Sequence, residues 1–416
     1  MEKQEKIQFL EELKQRKILK DITNPERFFN LCEEKGVYVG FDPTAESLHL
    51  GNYIAISLLK RFKKKGIKVL AVIGGATGMI GDPSFNSKER VLLDKATLKK
   101  NTEKIKAQIA SFGLPIFDNF QIYSQMNVLE FLRDVGKNIN ISYLLAKDSV
   151  ASRIQTGLSF TEFSYQLIQG WDFKFLYEKM NIIAQAGGSD QWGNMMTGLD
   201  FIRKSNFERG DEAFVFTTNL LTDENGQKFG KSLGKPIWLD KNMFSPYNLY
   251  QFLLNQSDLQ AEKILYWLSF LEIEKINSLI SEHNKNRGAR ILQKQLAQEI
   301  VLEIHGEAEL RIAEKISNIL FKNFDFSKIG FEEKKELKKI LPYFLVLNFS
   351  PDDLVKNGIF LSKRELNEFI SNKSLEINGK KILDIQEISP KLADFFGLFL
   401  VKKGKKEYFI LESKKN

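Results

Sequence analysis

The sequence predicts an α/β protein: a Rossmann-like doubly wound parallel sheet, followed by an α-helical part and a small α+β domain. Three observations predict this. In the first half, short apolar runs alternate with longer amphipathic stretches, as a parallel sheet with crossover helices requires. From residue 245 to about 323 the strand signals stop and helical periodicity takes over. Beyond residue 351 short helical and strand-like pieces return together.

Taken in order, residues 37–41 read as a strand, 51–65 as a helix, 68–74 as the next strand and 88–112 as a long basic amphipathic helix. Further strands are expected at 181–185 and 213–218. The Gly-Gly pairs at 74–75 and 187–188 fall just beyond strand ends, where open α/β sheets bind ligands. A lysine-rich, poorly patterned stretch at 331–339 precedes Pro342. Helices at 352–357 and 362–371 then lead into strands at 375–377 and 408–411, with Asn378-Gly379 as a hairpin-turn signal. The expected divisions are a catalytic sheet domain over 1–225, a mobile loop over 226–236, a helical domain over 237–340 and a C-terminal domain over 351–416.

The 416-residue length suggests two or three domains. Met1-Glu2-Lys3-Gln4-Glu5-Lys6 has no apolar core, so no secretory signal is expected. No apolar run approaches the roughly 18 residues that cross a bilayer, so no membrane partner is expected, and a cytoplasmic chain is expected because a single cysteine fits a reducing compartment. Cys32 is the only cysteine, which excludes an intramolecular disulfide and a Cys-rich metal site. His49, His283 and His305 are scattered, which argues against a histidine zinc site. A net charge of +8 favours a polyanionic partner, although lysine-rich chains also look basic without one.

Gly40-Phe41-Asp42-Pro43-Thr44-Ala45-Glu46-Ser47-Leu48-His49-Leu50-Gly51-Asn52 connects a strand to a helix. Small residues there let the backbone approach a phosphate, and the helix N-terminus supplies N–H donors. His49 and Asn52 are expected one turn apart, facing one ligand. Taken singly, the stretch reads as a tight turn with a capping histidine. Lys228-Phe229-Gly230-Lys231-Ser232 follows the turn Asp223-Glu224-Asn225-Gly226. Its two lysines suit a triphosphate as point charges, while alone it reads as a solvated loop.

Together the two stretches resemble the HIGH and KMSKS signatures of class I aminoacyl-tRNA synthetases. Three further runs are similar to the tyrosyl family. They are Gly74-Gly75-Ala76-Thr77-Gly78-Met79-Ile80-Gly81-Asp82-Pro83-Ser84, the run from Ser159 through Tyr165 and Gln169 to Asp172, and Gly187-Gly188-Ser189-Asp190-Gln191-Trp192-Gly193-Asn194. The resemblance runs from about Val37 to the C-terminus.

It implies an enzyme that joins L-tyrosine to tRNA(Tyr) through tyrosyl-adenylate. ATP would be a substrate accompanied by Mg²⁺, with no protein-bound metal or organic cofactor, and the enzyme would be a homodimer. Tyr38 and Asp172 would bind the substrate's phenolic hydroxyl, and Asp82, Tyr165 and Gln169 its ammonium group. Gln191 would lie near the attacking carboxylate. Gly188 and Asp190 would contact the nucleoside; Gly40, Asp42, Gly51 and Ser232 complete the ATP contacts. Thr44, His49, Asn52, Lys228 and Lys231 would surround the phosphates. In-line attack on phosphorus builds charge on oxygens, so positioning and fixed positive charge suit it better than a nucleophilic side chain.

Two departures stand out. Asn52 occupies a position where histidine is the other common choice; both donate to oxygen. Asn86 stands where relatives usually carry a lysine that grips pyrophosphate with the arginine matching Arg90. Lys88, two places on, either takes over that role or is merely the first solvated residue of a basic helix.

The tail, from Asp352 through Ser362-Lys363-Arg364 to Ile377-Asn378-Gly379-Lys380-Lys381, resembles a small ribosomal-protein-type RNA-binding module. Lys363, Arg364 and Lys380 are the expected RNA contacts. Lys402, Lys403, Lys405, Lys406, Lys414 and Lys415 read as a solvated face. Against the tyrosyl reading stand a tryptophanyl enzyme of the same fold, and a catalytically silent RNA-binding paralogue, which predicts erosion of His49, Lys228, Lys231 and Asp190.

Overall fold

The structure is a computed structural model. It describes residues 2–84, 92–139, 141–145, 157–205, 212–222, 224, 226, 229–232, 235–321, 329–393, 397–404 and 407–413, without the side chains of 143, 231 and 232. They form two compact units, 1–243 with 256–296 and 244–255 with 297–416.

In the first unit, six strands make one sheet in the order β1-β6-β5-β2-β3-β4. The strands are β1 (Leu19–Ile22), β2 (Gly36–Phe41), β3 (Val69–Ile73), β4 (Ile116–Asp118), β5 (Ile182–Gly188) and β6 (Phe214–Thr218). All neighbours are parallel except β1 and β6. β3, Val-Leu-Ala-Val-Ile, is buried at every residue. That continuous apolar run is what a parallel strand covered on both faces requires. The chain leaves β2 toward β3 on one side, while β5 pairs with its other side. The strand order therefore reverses between β2 and β5, and the carboxyl ends there open a crevice. Gly187 and Gly188 are the last residues of β5 rather than lying beyond it.

Helix α1 (Lys3–Gln15) precedes β1, and α2 (Pro25–Phe28) follows it. Helix α3 (Leu50–Lys64) starts from a reciprocal cap between His49 and Asn52. The helix expected from residue 88 instead runs over Lys95–Ser111 as α4, because Asp94 accepts from the N–H groups of Ala96 and Thr97 and sets the start. Residues 85–91 lie outside the described residues. Short helices α5 (Phe120–Tyr123), α6 (Val128–Asp134) and α7 (Ile141–Leu145) lead to the long α8 (Phe160–Met180). Ser159 caps α8 at its start, and Asn181 ends it in the left-handed region at φ 58°. Helix α9 (Trp192–Ser205) packs along α8.

Two more helices, α10 (Asp258–Leu268) and α11 (Ile273–Lys285), belong to the same unit. The carbonyls at the end of α10 are held by two buried arginines. Arg16 donates to Tyr266 O and Leu271 O, and Arg61, from the last turn of α3, to Trp267 O and Ser269 O.

In the second unit, α12 (Pro246–Leu254) packs on α13 (Glu307–Phe321), and Gln251 Nε2 donates to Ser317 Oγ at 2.9 Å. The lysine-rich stretch that read as poorly patterned is helix α14 (Phe331–Ile340). Only Lys334 and Leu337, three apart, are buried on it. Its apolar residues, Phe331, Leu337 and Ile340, are too few and too widely spaced to show a helical period.

In the first unit Lys231–Ser232 (β7) and Lys235–Pro236 (β8) pair antiparallel. The second unit has a five-stranded sheet in the order β11-β10-β12-β13-β9. Its strands are β9 (Tyr343–Val346), β10 (Leu375–Ile377), β11 (Lys380–Lys381), β12 (Leu398–Lys403) and β13 (Glu407–Ser413). β9, ahead of residue 351, pairs parallel to β13. Asn378 and Gly379 both have positive φ, 50° and 79°, and turn β10 into β11 as a type I′ hairpin does. Helices α15 (Pro351–Lys356) and α16 (Lys363–Ser371) cover this sheet over a core that includes Leu354, Phe360, Leu366 and Phe399. No helix among the described residues is long and apolar enough to cross a membrane.

Candidate active site

A cavity of about 590 Å³ opens at the carboxyl ends of β2 and β5. Tyr38, Gly40, Asp42, Thr44, His49, Gly51, Asn52, Asp82, Tyr165, Gln169, Asp172, Gly188, Asp190 and Gln191 all line it. Residues scattered over about a third of the chain thus converge on one space.

Tyr38, on β2, is buried, and its hydroxyl has no hydrogen-bond partner among the described residues. Burial, then the charge of Asp172, pushes this phenol well above its ordinary range. Asp172, on α8, is buried too. Its Oδ2 accepts from Asn119 Nδ2 at 2.9 Å and its Oδ1 from Tyr123 Oη at 2.7 Å. Burial lifts the carboxyl to about 7, against the pull of those two donors.

A second group surrounds Asp42. Tyr165 Oη donates to its Oδ2 at 2.9 Å, and Thr77 Oγ1 to its Oδ1 at 2.6 Å. A side chain at Gly74 would place Cβ 1.9 Å from Asp42 Oδ1, so only glycine leaves room for this carboxylate. Asp82 accepts from Gln191 Nε2 at 2.8 Å. Tyr165 is held neutral by burial and by the charges of Asp42 and Asp82.

The third group is the start of α3. His49 Nδ1 accepts from the Asn52 N–H at 3.3 Å, and Asn52 Oδ1 from the His49 N–H at 3.0 Å. His49 caps α3 and also lines the cavity: Nδ1 serves the cap, which puts the ring proton on Nε2. Phe229 and Gly230 lie against this helix start. Gly230 has φ 105°, and a Cβ there would come 2.4 Å from Gly51 N. The Leu50 N–H donates to Ile237 O at 2.7 Å, and the Ile237 N–H to Gly230 O at 2.9 Å. Gln108 of α4 fastens the other side. Its Oε1 accepts from the Leu48 N–H at 2.8 Å and its Nε2 donates to Ser47 Oγ at 3.1 Å, while Ser47 Oγ accepts from the Asp240 N–H at 3.1 Å.

Arg90 and Lys228, with Asn86 and Lys88, lie outside the described residues. Lys231 and Ser232 are placed on a two-residue strand, but their side chains are not described. In the C-terminal sheet domain, Lys363 pairs with Asp352 at 2.7 Å and Lys380 with Glu387 at 2.8 Å. Both pairs are exposed and therefore weak. Arg364, also exposed, makes no ion pair among the described residues. Lys403 is no solvated lysine: it is 13% exposed, bonds Glu365 and Ile359 O and covers the rings of Phe360 and Phe369. Lys405, Lys406, Lys414 and Lys415 lie outside the described residues.

The sequence reading missed Asn119, Tyr123, Gln185 and Gln108 as site residues. Gln185, opposite Tyr38 in the sheet, lines the cavity with its buried Oε1 unpartnered among the described residues. Asn119 and Tyr123 stand four apart, on one face of a helical turn. That spacing is their only signal, and it is a common one.

The chain resembles known proteins over nearly its whole length. The family described as tRNA synthetases class I (W and Y) matches residues 30–322, and the tyrosine–tRNA ligase SYY-like C-terminal domain matches 351–411. The chain is 69% identical to the tyrosine–tRNA ligase of Mesomycoplasma hyopneumoniae strain 7448 over 408 residues, 98% of this chain and 99% of that one. It is 49% identical to that of Mycoplasmopsis agalactiae over 412 residues, 98% of this chain and 100% of the relative. Among solved structures, the C-terminally truncated mitochondrial tyrosyl-tRNA synthetase of Aspergillus nidulans superposes with a TM-score of 0.68 at 30% identity, covering 75% of this chain and 94% of that one. The chain belongs to the tyrosine and tryptophan family of class I tRNA synthetases.

Proposed function

We propose that this chain activates L-tyrosine with ATP and transfers it to tRNA(Tyr). The observation that carries the choice of amino acid is the buried Tyr38 hydroxyl, without a partner among the described residues, in the same cavity as the doubly held carboxyl of Asp172. A phenol both donates and accepts, so tyrosine's hydroxyl can donate to Asp172 and accept from Tyr38. An indole N–H only donates and would leave the Tyr38 O–H without an acceptor; phenylalanine does neither. An unmet buried polar group costs about 1–3 kcal/mol.

In the first step the tyrosine carboxylate attacks the α-phosphorus of ATP, which enters as its Mg²⁺ complex, and pyrophosphate leaves. Asp82, Tyr165 and Gln169 hold the ammonium group, and Gln191 the carboxylate. Gly188 and Asp190 take the nucleoside, with the backbone of Gly40, Asp42 and Gly51 beside it. Thr44, His49, Asn52, Lys228, Lys231, Ser232 and Arg90 face the phosphates, with Lys88 the candidate to join Arg90. No side chain becomes covalently attached. In the second step the terminal ribose hydroxyl of the tRNA attacks the carbonyl carbon and AMP leaves.

Residues 237–340 form the anticodon-binding part of the proposal, and Lys363, Arg364 and Lys380 contact tRNA. The enzyme acts as a homodimer. The exposed apolar side chains Val128, Leu129, Leu132 and Phe160 support a surface that a second copy covers. ATP–pyrophosphate exchange with tyrosine, tryptophan and phenylalanine in parallel tests the reading. Exchange with tyrosine alone is expected; exchange led by tryptophan would refute it.

A further inference from the structure

Tyr123 stands behind Asp172, outside the cavity lining, yet its hydroxyl touches two oxygens. Tyr123 Oη lies 2.7 Å from Ile168 O and 2.7 Å from Asp172 Oδ1. A phenol has one proton and two lone pairs. If that proton goes to Ile168 O, the Asp172 carboxyl must supply the proton between itself and Tyr123. If it goes to Asp172, the carboxylate gains a charge-assisted bond, and Ile168 O keeps only its helix partner. Tyr123 Oη is thus a two-position proton holder set against the residue proposed to read the substrate's hydroxyl.

The chain delivers this group with Asn119 in a single turn. Asn119 caps α5 and Tyr123 is its last residue, so one takes Oδ2 of Asp172 and the other Oδ1. With both oxygens held, the carboxyl cannot rotate, and the lone pairs not used by these two donors keep fixed directions. The ring of Tyr123 rests edge-on to Phe131, 6.5 Å between centroids.

We propose that Tyr123 is a positioning residue for amino-acid specificity: through its hydroxyl it fixes the Asp172 carboxyl, so that only a ring bearing a hydroxyl completes the set. The inference rests on the reading in which tyrosine's ring enters this cavity. When tyrosine binds, its phenol donates to Asp172, Tyr123 turns its proton to the same carboxylate, and Tyr38 donates to the ligand oxygen. Three donors then favour the charged carboxylate. The groups facing it are Asn119 and Tyr123 from α5 and its cap, Tyr38 from β2, Asp42 from the turn after β2, and Tyr165 from α8 itself. Tyrosine binding is therefore linked to loss of the Asp172 proton. Removing the Tyr123 hydroxyl, which pulls that carboxyl down, moves the linked pH dependence upward.

The test is calorimetric titration of the full chain with tyrosine and with phenylalanine across the neutral pH range, wild type against Tyr123→Phe. The ring is kept, and equal melting temperatures establish that the variant folds. Tyrosine affinity should fall by about 10-fold to 100-fold, the size of one lost hydrogen bond to a charged group, while phenylalanine affinity moves by less than about 2-fold. The acid limb of the tyrosine curve should shift to higher pH. Equal losses for both ligands with an unmoved limb, or no loss at all, would overturn the role of Tyr123. A wild-type chain that binds no tyrosine would overturn the parent reading and this inference with it. The same assay on Asn119→Ala, which removes the other holder, should also lower the tyrosine-to-phenylalanine ratio; an unchanged ratio there would speak against fixation of the carboxyl.

Discussion

Tyr165 Oη donates to Asp42 Oδ2 across 2.9 Å, joining a residue of α8 to the turn that follows β2. This bond ties the proposed ammonium site to the backbone that leads into the proposed phosphate site, since Asp42 begins the stretch ending at His49. Tyr165→Phe removes the donor and keeps the ring. The KM for tyrosine should rise about 10-fold, the equivalent of one charge-assisted hydrogen bond, with a smaller effect on the KM for ATP. Steady-state exchange at varied tyrosine and at varied ATP separates the two; an effect confined to ATP would contradict the assignment.

Asp172 makes stability depend on pH with a definite sign. Its carboxyl is lifted from 3.8 to about 7, so the folded protein holds a proton there that the unfolded chain has released. Stability should therefore fall as pH rises through that window and level off above it, with a total on the order of a few kcal/mol. Asp172→Asn cannot titrate. The melting temperature of the wild type minus that of the variant should decline from acid to neutral pH, followed by thermal unfolding in a pH series. A constant difference would mean that the carboxyl is charged throughout.

The latch around Leu48 holds the loop ahead of His49, a residue proposed to face the phosphates. Gln108 satisfies the Leu48 N–H, and Ser47 holds the Asp240 N–H, so the loop ahead of His49 is fastened to α4 and to the segment after the Lys-Ser strand. Gln108→Leu leaves a buried N–H unpaired, at a cost of about 1–3 kcal/mol. We expect kcat for exchange to fall about 10-fold with tyrosine binding unchanged. Equilibrium tyrosine titration beside exchange kinetics checks this, and a matching loss of tyrosine affinity would argue for general unfolding instead.

Legibility from sequence followed element length. β2, α3 and β3 could be read because a buried apolar strand, a glycine-rich turn and a capped helix all agree over the stretch from Gly36 to Ile73. The cavity residues in the family-like runs came with them. Asn119 and Tyr123 were invisible, since β4 has three residues and α5 four, too few for any period to show. The early start given to α4 came from lysine-rich periodicity that the Asp94 cap overrides. Lys403 read as solvated because its neighbours in sequence are charged. The rings it covers, Phe360 and Phe369, come from far upstream, and a local pattern carries no such contact.

Gly230 places the loop against α3. Its φ of 105° suits glycine, and a Cβ would meet Gly51 N at 2.4 Å. Gly230→Ala should therefore push the segment off the helix start, at a strain of about 1–3 kcal/mol. The KM for ATP should rise by about 10-fold while tyrosine affinity stays within about 2-fold. Were tyrosine affinity to fall equally, the segment would be supporting the whole cavity rather than its proposed phosphate side.

The proposed tRNA contacts of the C-terminal sheet can be tested apart from activation. Arg364 is exposed at the start of α16 and makes no ion pair among the described residues, whereas Lys363 and Lys380 are paired with Asp352 and Glu387 and, in the proposed RNA contact, would first have to release them. A cation already engaged gives up part of its gain on meeting a phosphate, so Arg364 should contribute most. Arg364→Ala should weaken tRNA binding and lower the slope of log affinity against log salt by about one unit, leaving exchange unchanged. Lys380→Ala should lower affinity less, because the freed Glu387 remains as a repulsive neighbour of the RNA in both proteins once the pair opens. Filter binding of tRNA at several salt concentrations measures both. A larger loss from Lys380→Ala than from Arg364→Ala would show that the ion pair positions its lysine for RNA rather than competing with it.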